Sequence, residues 1–254
     1  MREDLKCKGL KLYDQAMAYM YRVRDGDEVV NKPIKKLVDR LINEYENKQF
    51  EEDWKYYFDC NEVKKINNLL KLLNFATGFV AGKPVLDNLG DYQAFLILNL
   101  FAWRYKDRHY KFKHSDICLY LARKNAKTAS AGIIFILLML TEQNYSEFYS
   151  ICLNKELAGE IRKSMVQILG ASPCLEKHFT ISQSNLGKLE CKITHSFFMA
   201  RVAEAGKNNS IRPSAYVCDE MGNMKSRENF DAMKSGQKSV LNPLVFRTTT
   251  AYAI

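Results

Sequence analysis

The chain contains no Cys-x-x-Cys pair. Its seven cysteines, Cys7, Cys60, Cys118, Cys152, Cys174, Cys191 and Cys218, are scattered. Most sit in apolar, strand-like contexts, a pattern that argues against a zinc module and for buried thiols in a reducing cytoplasm rather than disulfides. Cys191 and His195 lie four apart, as two metal ligands on a helix would, but their segment has the character of a strand. Long apolar runs are lacking too. The longest, around Ile133 to Leu140, is too short to span a bilayer, and the N-terminus is charged rather than signal-like, so a soluble protein is expected. Internal repeats and low-complexity segments are missing as well, which sets aside solenoids and disordered tails.

At 254 residues and 29.4 kDa, the chain suits one large α/β domain or one domain with a smaller appendage. Its hydrophobic content of 47% is that of a globular protein. The net charge of +9, from 38 basic and 29 acidic residues, suits a phosphate-bearing partner, with ordinary solubility as the plain alternative.

The stretch Asp116-Ile-Cys-Leu-Tyr-Leu-Ala-Arg-Lys-Asn-Ala-Lys-Thr128 organises the rest. A β-prone segment runs into a short polar loop ending in Lys127-Thr128, and an apolar helix from Ala129 to Leu140 follows. This is the strand–loop–helix order of a phosphate-binding loop. Backbone N–H groups and the helix start offer partial positive charge, the Lys a mobile ammonium, and the Thr a hydroxyl for Mg²⁺. The pattern Gly-x-x-x-x-Gly-Lys-Ser/Thr wants glycine at Leu121 and Ala126, and neither is there. A basic N-cap on a buried helix is the plain alternative.

Before this stretch, apolar residues at helical spacing from Leu10 to Asn47, broken at Arg24 to Asp27 and restarted at Asn31-Lys-Pro33, predict helices. Glu51 to Leu73 is a second charged amphipathic stretch, and Asn74 to Asn88 a connector. Gln93 heads an apolar helix ending near Trp103, with a basic patch from Arg104 to Lys113. Its amide, one acceptor and two donors, matches an edge of adenine. After the loop helix, Glu147 to Leu153 predicts a strand, and Asn154 should cap a helix from Lys155 to Leu169. Further strands are expected at 178–183, 189–194 and 197–202. Alternating strands and helices predict a mainly parallel sheet with helices on both faces. The strand Ala215-Tyr-Val-Cys-Asp219-Glu220 ends in two acids, where a doubly wound sheet places its ligand crevice. Asp219 could hold Mg²⁺ and Glu220 could polarise an attacking water. A helix from Arg227 to Lys238 precedes a last strand that runs into Thr248-Thr249-Thr250, whose polar end should lie beside that of the Asp219 strand.

With these pieces in order, the sequence resembles the ATPase domain of the large terminase subunit of tailed double-stranded DNA phages. The most specific block is Ala122-Arg-Lys-Asn-Ala-Lys-Thr128, similar to the family's deviant phosphate loop of Ala-Arg-Lys-Asn-Gly-Lys-Ser/Thr type. Tyr92-Gln93 is similar to its adenine-reading Trp-Gln segment, Val217-Cys-Asp219-Glu220 to its acidic motif, and Thr248-Thr-Thr250 to its coupling motif. Ala126 for Gly and Tyr92 for Trp are departures.

The resemblance implies a P-loop NTPase of the ASCE type, a mainly parallel sheet flanked by helices, with a helical accessory region and connector over residues 1–88 and an ATPase core over 89–254. It implies that ATP and Mg²⁺ bind as follows: Lys127 on the β- and γ-phosphates within the loop Arg123, Lys124, Asn125, Ala126, Lys127 and Thr128; Thr128 and Asp219 on the metal; Glu220 on the water; Gln93 on adenine; Arg123 sensing the γ-phosphate; and Thr248, Thr249 and Thr250 coupling hydrolysis to movement. In related ring motors a basic residue reaches the neighbour's nucleotide. Arg212, from the loop Glu204 to Pro213, is the candidate here, with Lys207 and Arg201 behind it and a solvated surface Arg as the plain alternative. The implied partners are double-stranded DNA, the capsid portal, the terminase small subunit and further copies in a pentameric ring in the host bacterial cytoplasm. The family's nuclease domain has no counterpart in this sequence, which reads as an N-terminal motor fragment. A helicase- or repair-type nucleic-acid ATPase and a non-catalytic DNA-binding module with a degenerate loop are the rival readings.

Overall fold

The computed structural model describes residues 7–152, 159–184, 186–202, 211–223 and 227–250. The chain folds as two compact units, one of residues 1–72 and 83–114 and the other of residues 73–82 and 115–254. The helix that carries Gln93 belongs to the first of these units.

In the first unit, α1 (Lys11–Asp25), α2 (Lys32–Glu46), α3 (Cys60–Leu72), the single turn α4 (Val85–Asn88) and α5 (Asp91–Ala102) form a helical layer. The start signal at Asn31 works as its chemistry requires: its side chain accepts from Ile34 N at 3.0 Å, with Pro33 in the first turn. Helix α1 lays Leu12, Ala16, Met20 and Val23 inward and is tied to α5 by Gln15, whose Nε2 donates to Leu89 O and Asp91 Oδ1, both at 2.8 Å. A short ribbon of β1 (Tyr56–Phe58) and β2 (Trp103–Tyr105) replaces the uninterrupted helical character expected from Glu51 onward. Its aromatic side chains interlock, Phe58 standing edge-on to Tyr45 at 4.9 Å and to Trp103 at 5.4 Å. Burial of this size stabilises by about 1.5–3 kcal/mol per large side chain, which outweighs the local pattern. Within the basic patch, Lys113 pairs with Glu44, and Arg104 with Glu62 at 3.1 Å, so two of its cations serve the fold.

One cysteine expectation is overturned. Cys7, just before α1, and Cys60, at the start of α3, form a disulfide across a Cα–Cα distance of 5.5 Å. Packing brings together two helix starts that sit 53 residues apart in sequence, a proximity that spacing alone does not encode. Cys118, Cys152, Cys174, Cys191 and Cys218 remain free.

The second unit is built on a seven-stranded sheet in the order β3-β9-β8-β4-β7-β6-β5. The strands are β3 (Asp116–Tyr120), β4 (Glu147–Cys152), β5 (Phe179–Ile181), β6 (Leu189–Cys191), β7 (Phe197–Val202), β8 (Ala215–Cys218) and β9 (Leu244–Thr249). β3, β9, β8, β4 and β7 pair in parallel, and β6 and β5 add antiparallel partners beyond β7. The middle strands are covered on both faces, which is why β8 is buried throughout and reads as an apolar run. Edge strand β3 is exposed at alternate positions. Helix α6 (Lys127–Thr141) is buried continuously from Ser130 to Met139, the mark of a helix enclosed on all sides. The following helix, α7 (Glu160–Gly170), packs on it. The expected cap at Asn154 lies outside the described residues. Beyond α7 come the turn α8 (Pro173–Glu176) and helix α9 (Glu228–Gly236). Among the described residues no helix is long and apolar enough to cross a membrane.

Candidate active site

Parallel register places the ends of three strands side by side. β9 lies between β3, which leads into the loop, and β8, which leads into the acids, with Tyr120 opposite Thr249 and Cys218 opposite Arg247. One strand thus separates the phosphate-loop strand from the acidic strand. The ladder continues past β3, Leu121 N donating to Thr249 O at 3.2 Å, and this fixes the root of the loop.

The loop itself turns through left-handed backbone, with φ +67° at Lys124 and +52° at Ala126. Ala126 caps α6 in that conformation, where glycine is unstrained and a Cβ costs about 1 kcal/mol. The conformation that the usual glycine provides is kept here at that cost. Arg123, Lys124 and Asn125 are exposed on the crest, while Lys127 and Thr128 are half-buried at the helix start.

Across the gap, Lys127 Nζ donates to Glu220 Oε1 at 2.5 Å and lies 3.4 Å from Asp219 Oδ1. The Lys127 and Asp219 side chains are each 10% exposed, that of Glu220 23%. Asp219 is held from three sides: Thr248 Oγ1 donates to its Oδ1 at 2.5 Å, Glu220 N donates to the same oxygen at 3.0 Å, and Cys152 Sγ points at its carbonyl at 3.8 Å. Glu220 has φ +53°, another non-glycine residue in the left-handed region at the same site. Thr249 Oγ1 accepts from Gly222 N at 3.2 Å and so tethers the turn after the acids. Beside them, burial pushes the Cys218 thiol up to about 12, so it stays protonated and takes no nucleophilic part.

These groups border a cleft of about 670 Å³ lined by the loop, Lys127, Thr128, Glu220 and Thr250. Thr250 is 4% exposed, and its Oγ1 has no hydrogen-bond partner among the described residues; a buried hydroxyl left so is placed for a ligand. The donor set also bears on a metal. Among the described residues no cluster of three His, Cys, Asp or Glu side chains could hold an ion alone. One carboxylate, Asp219, facing Lys127, and one hydroxyl, that of Thr128 next to Lys127 in the loop helix, make a donor set that suits Mg²⁺, which takes one or two protein ligands and completes its octahedron with phosphates and water. The residues fit a metal that arrives with its nucleotide.

The structure therefore brings together Arg123, Lys124, Ala126, Lys127, Thr128, Asp219, Glu220, Thr248, Thr249 and Thr250. Gln93 belongs to the first unit, where it is 5% exposed and its Oε1 accepts from Gly90 N at 2.8 Å at the start of α5. Arg212 lies before the start of β8, at the N-terminal end of the parallel strands and so at the other end from Lys127 of the same chain, with Nε donating to Ser239 Oγ at 3.1 Å. Lys207 lies outside the described residues, and Arg201 stands over the Tyr149 ring. Not foreseen from the sequence is the far wall of the cleft, Thr77 with Glu160, Lys163, Ser164 and Gln167 of α7. Their i, i+3, i+4, i+7 spacing, opposite the buried Ile161, Met165 and Ile168, was a readable polar face.

A family model described as the terminase large subunit, ATPase domain, matches residues 91–254. No curated protein matches the chain. Among solved structures, the crystal structure of the HK97 bacteriophage large terminase superposes with a TM-score of 0.61 at 20% identity, over 73% of this chain and 37% of that one. The chain thus spans a little over a third of that relative's length. The Thermus phage P74-26 large terminase ATPase domain gives 0.45 at 12% identity, over 55% of this chain and 60% of that one. The large terminase of another thermophilic bacteriophage, in complex with ADP, gives 0.42 at 14% identity, over 54% and 33%. The likeness to the HK97 protein is one of fold, a mostly parallel sheet flanked by helices.

Proposed function

This chain belongs to the family of terminase large-subunit ATPase domains, and from that premise we propose that it hydrolyses ATP with Mg²⁺ to drive double-stranded DNA into a capsid. The observation that carries the reading is the pairing of Lys127 with both strand-end acids, Asp219 and Glu220, across the cleft. A lysine at a helix start, facing two carboxylates of which one is fixed and one is a movable base, is the equipment that phosphoryl transfer to water requires.

In this reading the loop N–H groups and Lys127 bind the β- and γ-phosphates, and Thr128 and Asp219 hold Mg²⁺, which neutralises the developing charge when bound. Thr248 keeps Asp219 in its ligating orientation. Glu220, released from Lys127 when the phosphates arrive, accepts a proton from the attacking water. Arg123 senses the γ-phosphate from the loop crest. Thr249 and Thr250 convey its loss to the turn after the acids. Gln93 meets adenine by turning its amide from the α5 cap, and Arg212 reaches a neighbouring chain's site. The working assembly is a pentameric ring on the capsid portal, supplied with DNA by the terminase small subunit, in the host bacterial cytoplasm.

Magnesium-dependent phosphate release by the purified chain, with and without DNA, tests the core of the proposal. Lys127→Ala should abolish release and weaken ATP binding. Wild-type turnover by Lys127→Ala would reject it.

A further inference from the structure

The first unit carries a cleft of its own, of about 330 Å³, lined by Lys11 at the start of α1, Asn67 and Lys71 on α3, and Leu86 and Asp87 of the α4 turn. Helix α1 begins there without a side-chain cap of its own, since Leu10, the residue before it, has no polar group to offer. The first-turn N–H of Leu12 is satisfied instead by Asn67 Oδ1 at 3.1 Å, from 55 positions away. Asn67 is 1% exposed, and this bond uses only its acceptor. Its Nδ2 has no partner among the described residues, on a side chain that lines the cleft. A buried amide that leaves its N–H donors unused is a group placed for a ligand.

The neighbouring groups have the same character. Lys71 stands one turn further along the same face of α3; it is exposed and forms no ion pair among the described residues. The backbone N–H of Lys11, first in α1, has no acceptor among the described residues, as the start of a helix dictates. Two acids lie close by, and both are engaged: Asp87 holds Lys11 Nζ at 2.9 Å, and Asp14 accepts from Gly9 N at 3.1 Å. What the cleft leaves unspent is therefore an ammonium, a side-chain amide and a helix-start N–H, all of them donors. Beside them Leu86, 2% exposed, and Leu10 supply apolar surface.

Donors without acceptors select an anion, and the start of a helix of 15 residues adds partial positive charge of its own. A phosphate monoester carries about two charges on three terminal oxygens, one oxygen for each kind of donor, where a carboxylate has two. The volume is that of a small-molecule cleft, with room for a compact organic body attached to the phosphate.

We propose that this cleft in the first unit binds a small phosphate monoester, held by Asn67 Nδ2, Lys71 and the start of α1, with its organic part against Leu10 and Leu86. The site shares no residue with the phosphate loop and stands whether or not that loop hydrolyses ATP.

Calorimetric titration of the full chain with phenyl phosphate tests it, in wild type and in Lys127→Ala so that the phosphate loop is told apart. Both should bind. Lys71→Gln should weaken binding about tenfold, the loss of one charge-assisted contact at an exposed position. Asn67→Asp keeps the oxygen that caps Leu12 N and replaces the free donor by a second anionic oxygen. Binding should then fall by at least about tenfold while the melting temperature holds, since a carboxylate suits a helix start; should Asn67→Asp lower the melting temperature, Lys71→Gln decides alone. Binding lost in Lys127→Ala would assign the anion to the phosphate loop, and binding unchanged in Lys71→Gln would place it elsewhere. Benzoate bound as tightly as phenyl phosphate would make the cleft a carboxylate site. Any of these results, or no binding at all, overturns the proposal.

Discussion

Replacing Glu220 by Gln keeps the side chain's shape and removes its charge, and the consequence should be twofold. Lys127 is held by Glu220 at 2.5 Å and by Asp219 at 3.4 Å, so an incoming polyphosphate competes with a carboxylate for the same ammonium. A hydrogen bond between charged partners contributes about 1.5–3 kcal/mol and a neutral one about 1. The substitution should therefore weaken the resting contact by about 1–2 kcal/mol. Because Glu220 is 23% exposed, water screens part of that, and the lower end governs. At 1.4 kcal/mol per decade, ATP should bind about five- to tenfold more tightly. Hydrolysis should fall by at least about a hundredfold with the loss of the base. Isothermal titration with ATP and Mg²⁺ reads the first effect and phosphate release the second. Glu220→Gln in a Lys127→Ala background should show no gain in affinity, since no ammonium remains to be freed. Weaker ATP binding by the single variant would refute the competition, and undiminished turnover would refute the role of Glu220 as base.

Ala126→Gly removes a Cβ from a residue at φ +52°. Relief of about 1 kcal/mol is offset by the freer unfolded chain, so the thermal midpoint should hardly move, while kcat/KM for ATP rises on the order of threefold as the loop closes on the phosphates; a fall in kcat/KM would contradict this. Arg212→Ala should bind ATP normally and hydrolyse it poorly in assembled rings, and mixing it with Glu220→Gln chains should restore some turnover by pairing an intact finger with an intact site. Wild-type turnover by Arg212→Ala rings would end its role across the interface. His114 is held down to about 3 by burial first, then by Lys113 and Arg40, and its buried Nε2 has no partner among the described residues. Its depressed folded value means that the unfolded chain takes up the proton first, so stability is full above the ordinary histidine range near 6.5 and is lost as pH falls toward 3, by about 1–2 kcal/mol at pH 5. Urea midpoints at pH 7 and pH 5 should differ less in His114→Leu than in wild type; an equal difference would show that another group carries the acid sensitivity.

Local chemistry made much of this protein legible in its sequence. The cap at Asn31, the buried apolar strand that ends at Cys218, and the polar loop between a β-prone segment and an apolar helix each follow from the propensities and periodicity of neighbouring residues. The order of those pieces was enough to predict a mainly parallel sheet. The tertiary structure decided what depends on contacts between distant residues: the meeting of Lys127 with Glu220 across 93 positions, the Thr248 hydroxyl on Asp219 across 29, and the Cys7–Cys60 bond across 53. It also showed Gln93 accepting from Gly90 N at the start of α5, a contact that its amide suits as well as it suits a base, and it turned the polar face of α7 into the wall of a cleft. Sequence periodicity states which face of an element is polar. Only the packing of one element on another states what that face looks at, because the approach of α7 to α6 at Gly132 and the strand order around β9 are set by burial summed over the whole core rather than by any local run of residues.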